Sequence, residues 1–316
     1  MLAVSVPTQE IADALGDVGA GVRVVVWDPN EEDAPPDHAD EVALVCIPHY
    51  TGGARLYGRI AALPNVRVIQ IPSAGYEHAL PFVPQGVALA NARGVHDTRT
   101  AEFAIALALA SQRLLDTFIR AQDRGEWAPE YFTPSLADRR ALIVGYGSIG
   151  AAIGARLRAL EVEVRGVARS ARTAPDGTAV HAASDLPALL PEAEVVFLVT
   201  PHDATTDKLA DAAFFAAMPD GALFVNMGRG ACADTDALVA ECASGRLRAA
   251  LDVIDPEPLP AGHPAWTTPG MIIAPHVGGA APLTDRRYFA LVRAQVAALA
   301  AGREPLNVVA RGPRQA

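Results

Sequence analysis

The sequence predicts a two-domain α/β protein in which one mainly parallel sheet unit is inserted into another. Three observations predict it. Short apolar runs alternate with helix-patterned stretches in two separate series, a glycine-rich loop opens the second series, and long helical stretches stand at both of its ends. A length of 316 residues, with 51% hydrophobic and 20% charged side chains, suffices for a full core and fits two domains.

The first series comprises LAVSVP near the start, VRVVVW (22–27), VALVCIP (42–48), VRVIQIP (66–72) and VALAN (87–91), each read as a strand. The second comprises RALIVGYG (140–147), VEVRGV (162–167), EVVFLVT (194–200), ALFVNM (222–227), AALDVI (249–254) and MIIAP (271–275). Gly, Pro or Asp bounds each run, and the spacing leaves room for one helix or loop. The acidic, Pro-rich PNEEDAPPDHADE (29–41) reads as a solvated connection. Between the series, residues 98–125 hold Ala104, Leu107, Ala108, Leu115, Phe118 and Ile119 at helical spacing and read as one helix stopped by Gly125. Residues 282–302 are again helical and end at Gly302. The expected division is residues 1–97 for the first part of an outer domain, 98–279 for an inserted domain, and 280–316 for a C-terminal helix and tail that return to the outer domain.

A formal net charge of −10 provides no basic footprint for nucleic acid or an anionic membrane face, which favours a small-molecule partner. Cys46, Cys232 and Cys242 show no metal-ligand spacing and read as idle thiols, so no metal is expected. The start, MLAVSVP, lacks a basic segment and a cleavage pattern, and the most apolar run, FAIALALA (103–110), falls short of the ~20 residues a bilayer requires. The expectation is a cytoplasmic protein.

GYGSIG (145–150) matches G-x-G-x-x-G. Alone it means little, since 26 Gly in this chain produce about 0.2 chance matches. Its setting is what carries weight: the strand ALIV precedes it, the helix IGAAIGARLRAL follows, and a second strand comes next. Gly145 is expected to make the tight turn, Gly147 to let main-chain amides approach a pyrophosphate, and Gly150 to allow close helix-to-strand packing, with Ser148 and Ile149 completing the loop.

Three further stretches each end a strand, where ligands bind in open α/β sheets: VNMGRGACADTDAL (225–238), ALDVIDPEPLP (250–260) and IIAPHVGG (272–279). They supply Arg229, Glu257 and His276. Singly each has a dull explanation, but together they form a chemical set. Reducing a 2-keto acid with a hydride requires holding the carboxylate, polarising the carbonyl and passing a proton to the developing alkoxide. The permanently charged fork of Arg229 suits the first two tasks. His276 suits the third, because imidazole titrates near ~6.5 in model peptides. Glu257, if bonded to the distal ring nitrogen, favours imidazolium and fixes the tautomer.

With SAGYEH (73–78), NARGVHDTRTAEF (91–103), GYGSIG, TPHDATTDKL (200–209), NMGRG, LDVIDPEPLP and PHVGG in this order, the chain resembles the D-2-hydroxyacid dehydrogenase family over some 250 residues, from VRVIQIPSAGYEH to the end. The resemblance implies a Rossmann cofactor domain inserted into a flavodoxin-like substrate domain, and a homodimer formed through the cofactor domains. It implies Arg229, Glu257 and His276 as the catalytic set and the backbone of Ser73, Ala74 and Gly75 as the hold on the substrate carboxylate. Asp252 matches the residue near the nicotinamide carboxamide, and Thr200, Pro201 and Thr206 match the turn under the adenosine and ribose. Met227, His276 and Gly278 complete the expected cofactor set. Met227 and Gly228 depart from the family's usual Ala, Thr or Ser, with consequences for packing under the nicotinamide. Tyr50 and Tyr76 are candidates to line the substrate pocket, and glyoxylate or hydroxypyruvate is the leading substrate by resemblance.

In a dinucleotide fold the residue ending the second strand is usually acidic when the cofactor is NAD, because its carboxylate accepts the ribose hydroxyls. Here that place falls on Ala168, 23 residues after Gly145, followed by Arg169, Ser170 and Arg172. Two arginines and a hydroxyl suit a 2′-phosphate, and the arrangement resembles the Arg-Ser turn of NADP-dependent glyoxylate and hydroxypyruvate reductases. NADP(H) is the expected cofactor, with NAD(H) as a second. Formate or phosphite oxidation on the same fold is an alternative. A formate enzyme would carry Gln at Glu257, whereas phosphite stays open. A second alternative is a nucleotide-sensing protein like the family's corepressors.

Overall fold

In the computed structural model, which describes residues 1–49, 52–128, 132–280, 282 and 285–313, the chain divides into a unit of Met1–His96 with Ala281–Ala316 and a unit of Asp97–Ala280. The first begins with β1 (Leu2–Val6), α1 (Gln9–Leu15), β2 (Val22–Val26), β3 (Val42–Cys46), α2 (Ala54–Ala61), β4 (Val68–Gln70) and β5 (Ala88–Ala90). The second carries α3 (Asp97–Gln112), α4 (Leu115–Asp123), β6 (Arg140–Val144), α5 (Ser148–Ala159), β7 (Glu163–Ala168), β8 (Arg172–Thr173), β9 (Ala179–Ala182), α6 (Leu186–Leu189), β10 (Val195–Leu198), α7 (Ala212–Ala217), β11 (Leu223–Asn226), α8 (Thr235–Ala243), β12 (Arg248–Leu251) and β13 (Met271–Ile273). α9 (Arg286–Ala300) and β14 (Val308–Arg311) complete the first.

In the first unit the sheet order is β14-β5-β4-β3-β1-β2. Strands β2-β1-β3-β4-β5 run parallel in flavodoxin-like order, and β14 joins antiparallel at the edge. β3 is buried at every position, as a strand covered on both faces requires. Its Leu44 and Cys46 enter one core with Val68 and Val292, while Val45 enters the other with Tyr57 and Ile69.

The second unit has the order β13-β12-β11-β10-β6-β7-β9-β8, parallel except for the β8·β9 pair. From β9 to β12 this is the 3-2-1-4-5-6 order of a doubly wound dinucleotide fold. Leu142 and Val144 of β6 face one core, and Ala141 and Ile143 face the other. Buried Ala101, Ala104 and Ala108 let α3 approach α5 closely at Ile153 and Leu157. No helix among the described residues is long and apolar enough to cross a membrane.

The stretch read as one helix over 98–125 is two, and this is a correction. α3 ends at Gln112, Leu114 turns left-handed at φ 54°, and α4 begins at Leu115. A continuous helix would bond the Ser111 carbonyl to residue 115, but Arg248 of β12 takes that carbonyl at 3.0 Å and also bonds Gln112 Oε1. A cation on the terminal carbonyls stabilises the end of a helix, and periodicity cannot register a cap that comes from 137 residues away. Gly125, at φ 66°, still closes α4, following its cap Arg124. At the other end, Asp285 caps α9 by accepting from the Arg287 amide at 2.8 Å, so that helix starts at Arg286. Strands β8, β9 and β14 are additions to the sequence reading.

Candidate active site

β6 pairs with β7 on one side and β10 on the other, so the chain reverses its winding where β6 ends. That reversal leaves a crevice beyond the strand tips, and Gly145 stands in it. At φ 103°, a Cβ there would lie 2.7 Å from the Val199 carbonyl. A Cβ on Gly150 would lie 2.5 Å from the Gly145 oxygen, which brings α5 hard onto the loop. Gly147 is the opposite case, because nothing stands within 4 Å of its would-be Cβ. It is also the N-cap of α5 and offers no side-chain cap, so the first-turn amides of Ser148, Ile149 and Gly150 are left for an outside acceptor. Beside the loop, the buried Thr200 hydroxyl has no partner among the described residues. Open space over Gly147, uncapped amides and an orphan hydroxyl fit a dinucleotide. Thr206 closes the neighbouring turn: its hydroxyl donates to the Pro201 carbonyl and accepts from the Asp203 amide, both at 2.8 Å.

Ala168 is the last residue of β7, and exposed Arg169 and Ser170 follow. Arg172 donates to the Tyr146 carbonyl at 2.6 Å. Elsewhere in this unit Arg156 pairs with Glu102 at 3.6 Å, Arg158 with Asp176 at 2.7 Å and Arg165 with Glu192 at 2.7 Å. Neither Arg169 nor Arg172 joins an ion pair among the described residues, so the turn keeps two uncompensated charges.

β11, β12 and β13 are adjacent parallel strands, and the loops after them leave on one edge. After β11, Arg229 sits between two glycines that cannot carry side chains. A Cβ on Gly228 would lie 2.6 Å from the Thr200 oxygen, and one on Gly230 2.2 Å from the Ile254 oxygen. Asn226 braces the same turn, accepting from the Gly228 amide at 3.0 Å and donating to the Arg229 carbonyl at 3.1 Å. The Arg229 guanidinium donates to the Gly228 carbonyl at 2.7 Å. The departure at Gly228 thus has a steric reason in the close approach of Thr200. Met227 is buried in the core below, its methyl 2.8 Å from a would-be Cβ on Gly278.

His276 has φ 55°, an uncommon conformation for a non-glycine residue. Asp252 holds it there. The Asp252 carbonyl accepts from the His276 amide at 2.8 Å, and its carboxylate accepts from Val277 at 2.8 Å and Gly278 at 3.0 Å. The amide of Gly278 is therefore committed to Asp252. Burial pushes the Asp252 carboxyl up, against the lowering by those amides. With the main chain so fixed, His276 Nδ1 lies 2.6 Å from Glu257 Oε1. A carboxylate only accepts, so Nδ1 carries the proton and Nε2 is left for other chemistry.

The Ser73–Ala74–Gly75 turn is braced within the first unit. Asn91 donates to the Ala74 carbonyl at 2.6 Å, the Ala92 amide to Ser73 at 2.9 Å and His96 Nε2 to the Pro72 carbonyl at 2.6 Å. Sequence reasoning did not single out Asn91 and His96, although polar residues just past an apolar strand such as VALA were the available signal. Tyr50 lies outside the described residues.

Residues 105–278 match the NAD-binding domain of the D-isomer specific 2-hydroxyacid dehydrogenases. The chain is 30% identical over 292 residues to a glyoxylate reductase of Thermofilum pendens, covering 90% of this chain and 85% of that protein. It is 35% identical over 229 residues to a glyoxylate reductase/hydroxypyruvate reductase of Mus musculus, covering 70% of each. Among solved structures, it resembles a D-isomer specific 2-hydroxyacid dehydrogenase of Xanthobacter autotrophicus Py2 in complex with NADPH and MES, at TM-score 0.81, 27% identity and 98% coverage of both chains. An NADPH-dependent glyoxylate/hydroxypyruvate reductase of Sinorhizobium meliloti, in complex with NADP and sulfate, aligns at TM-score 0.81 with 25% identity, again covering 98% of both. The chain therefore belongs to the D-isomer specific 2-hydroxyacid dehydrogenase family, NAD(P)-dependent oxidoreductases that interconvert 2-hydroxy acids and 2-keto acids.

Proposed function

We propose that this enzyme reduces glyoxylate or hydroxypyruvate to the corresponding 2-hydroxy acid, of D configuration where the product is chiral, with NADPH preferred over NADH. The observation that carries the cofactor preference is the pair of arginines after Ala168 that join no ion pair among the described residues, whereas Arg156, Arg158 and Arg165 of the same unit are each matched to a carboxylate. A 2′-phosphate dianion supplies the missing negative charge, and no acid at Ala168 repels it. The reductase names of the relatives support the substrate class.

When bound, the reduced nicotinamide supplies the hydride. Arg229 neutralises the substrate carboxylate and draws electron density from the carbonyl oxygen, its backbone fixed by the flanking glycines. His276 delivers a proton from Nε2 to the developing alkoxide while Glu257 holds the opposite edge of the ring. In the oxidative direction the neutral Nε2 takes the proton back.

We also propose a homodimer. Trp127 and Phe132 are 98% and 105% exposed, and Leu115 and Ile119 on α4 are 45% and 58% exposed. Apolar side chains gathered in one surface segment mark an interface more often than a bare surface, and family resemblance points to a second copy of this chain.

Steady-state kinetics with a panel of 2-keto acids and both reduced nicotinamides tests the reading. Two charge-assisted contacts at about 1.5–3 kcal/mol each allow a tenfold or greater preference for NADPH in kcat/KM. Ala168→Asp combined with Arg169→Ile should move that preference toward NADH. Equal efficiency with both cofactors in the unmodified enzyme would refute the reading of the turn.

A further inference from the structure

The side chain of Tyr146, the residue between the first two glycines of the loop, is almost wholly buried and sits in a slot made by two other glycines. A Cβ on Gly154 of α5 would lie 2.6 Å from its hydroxyl, and a Cβ on Gly166 of β7 would lie 2.6 Å from its ring. The ring thus passes through the layer between α5 and β7, and its hydroxyl emerges at the turn of the β8–β9 hairpin. There it donates to Asp176 Oδ2 at 2.8 Å and lies 2.8 Å from Thr178 Oγ1. Arg158 closes the group, reaching Asp176 and Thr178 at 2.7 Å each. Burial would raise the Asp176 carboxyl, but the Thr178 amide, the Tyr146 and Thr178 hydroxyls and Arg158 together hold it well below the usual carboxylate range. At the base of the same hairpin, the Tyr146 carbonyl accepts from Arg172 at 2.6 Å.

One residue of the cofactor loop therefore grips the hairpin at two points, its turn through the side chain and its first strand through the main chain. Arg172 spends one N–H on the Tyr146 carbonyl and reaches the Ser170 carbonyl at 3.5 Å, which leaves donors and the full charge unspent. We propose that Tyr146 is a positioning residue for NADPH selectivity: its clasp on the β8–β9 hairpin sets the Arg169–Arg172 turn against the glycine loop at the distance a 2′-phosphate needs. This rests on the proposed NADPH preference and adds a cause for it that lies outside the phosphate-contacting residues. NADH has no phosphate there and does not use the clasp.

Tyr146→Phe keeps the ring in its slot and removes only the hydroxyl. Calorimetric titration with NADP+ and NAD+, and with adenosine 2′,5′-bisphosphate against 5′-AMP, measures its effect without turnover. The expected result is that NADP+ and the bisphosphate weaken about fivefold or more, a typical coupling between groups in one network, while NAD+ and 5′-AMP change by less than about twofold. Thr178→Val, which removes a second hydroxyl of the same group, should show the same asymmetry. In an Arg172→Ala background, Tyr146→Phe should weaken NADP+ by less than it does in the unmodified enzyme, because that guanidinium is part of the turn the clasp positions. Equal weakening of NADP+ and NAD+, full additivity with Arg172→Ala, or no change on loss of either hydroxyl would overturn the inference while leaving the NADPH preference standing. If Arg172→Ala and the unmodified enzyme both bind NADP+ and NAD+ alike, the preference and the inference fall together.

Discussion

Gly147→Ala and Gly150→Ala each add one methyl group to the same loop and should have opposite consequences. At Gly150 the new carbon would stand 2.5 Å from the Gly145 oxygen and 3.2 Å from Ile143 Cγ2, neither of which can retreat on a flexible side chain. Overpacking of this kind costs up to about 3 kcal/mol. Alanine recovers about 1 kcal/mol through its better helix propensity, leaving about 2 kcal/mol. For a domain of ~150–250 residues, about 2–4 °C is lost per kcal/mol, so Tm should fall by about 4–8 °C. At Gly147 nothing stands within 4 Å, and the backbone is extended at negative φ, −94° with ψ −152°. Tm there should hold or rise slightly, since alanine removes about 0.4–1 kcal/mol of freedom from the unfolded chain. Its methyl, however, fills the space through which main-chain amides reach a pyrophosphate, and the Kd for NADPH should rise at least about tenfold, or 1.4 kcal/mol. Thermal melts and calorimetry on the two variants separate the effects. A Gly147→Ala protein that binds NADPH as tightly as the unmodified enzyme would refute the assignment of this loop as the phosphate cradle.

His276→Asn should lower turnover by about 100- to 10,000-fold while the Kd for NADPH stays within twofold, and near-normal turnover would remove His276 from the proton step. Arg229→Lys should raise the Michaelis constant for the keto acid and lower kcat together, because a point charge cannot replace a planar fork; a loss of thermal stability with unchanged kinetics would make the residue structural. The Asp176 carboxyl is held below its ordinary range in the folded protein, so its contribution to stability is present above the unfolded pKa of ~3.9 and fades as pH falls through and below that value. The Tm difference between the unmodified enzyme and Asp176→Asn should therefore be larger at pH 7 than at pH 3, and a difference that widens on acidification would contradict the cause assigned to the shift.

What the sequence made legible was whatever the chain encodes locally. The parallel strands announce themselves as apolar runs because both faces are covered, and β3, buried throughout, is the clearest. Glycine spacing placed the cofactor loop, and chemistry-bearing residues at strand ends brought out Arg229, Glu257 and His276. What stayed hidden depends on partners distant in sequence. Two-residue β8 is too short to show a pattern and is defined by its pairing with β9, while β14 is defined by its antiparallel pairing with β5, more than 200 residues earlier. The break at Leu114 depends on Arg248, and the left-handed turn at His276 on Asp252. Tyr146 reads as an arbitrary residue in a glycine motif until Gly154 and Gly166 are seen to leave it a slot.

The return of α9 and β14 to the first unit sets an order of events during synthesis. The second unit is one uninterrupted stretch, Asp97–Ala280, and every strand of its sheet has been made once Ile273 has been added. The first unit must wait, because Tyr288, Phe289, Val292, Val296 and Leu299 of α9 form part of the core over Val4, Leu44 and Val68. At ~5–20 residues per second, Leu299 is reached about 1–4 s after Ala280. Throughout that interval the earliest-made strands carry a bare apolar face while the later-made unit can already close. The first unit's early strands are thus the last to finish folding, and a chain released after Ala280 holds a complete second unit tethered to an exposed sheet.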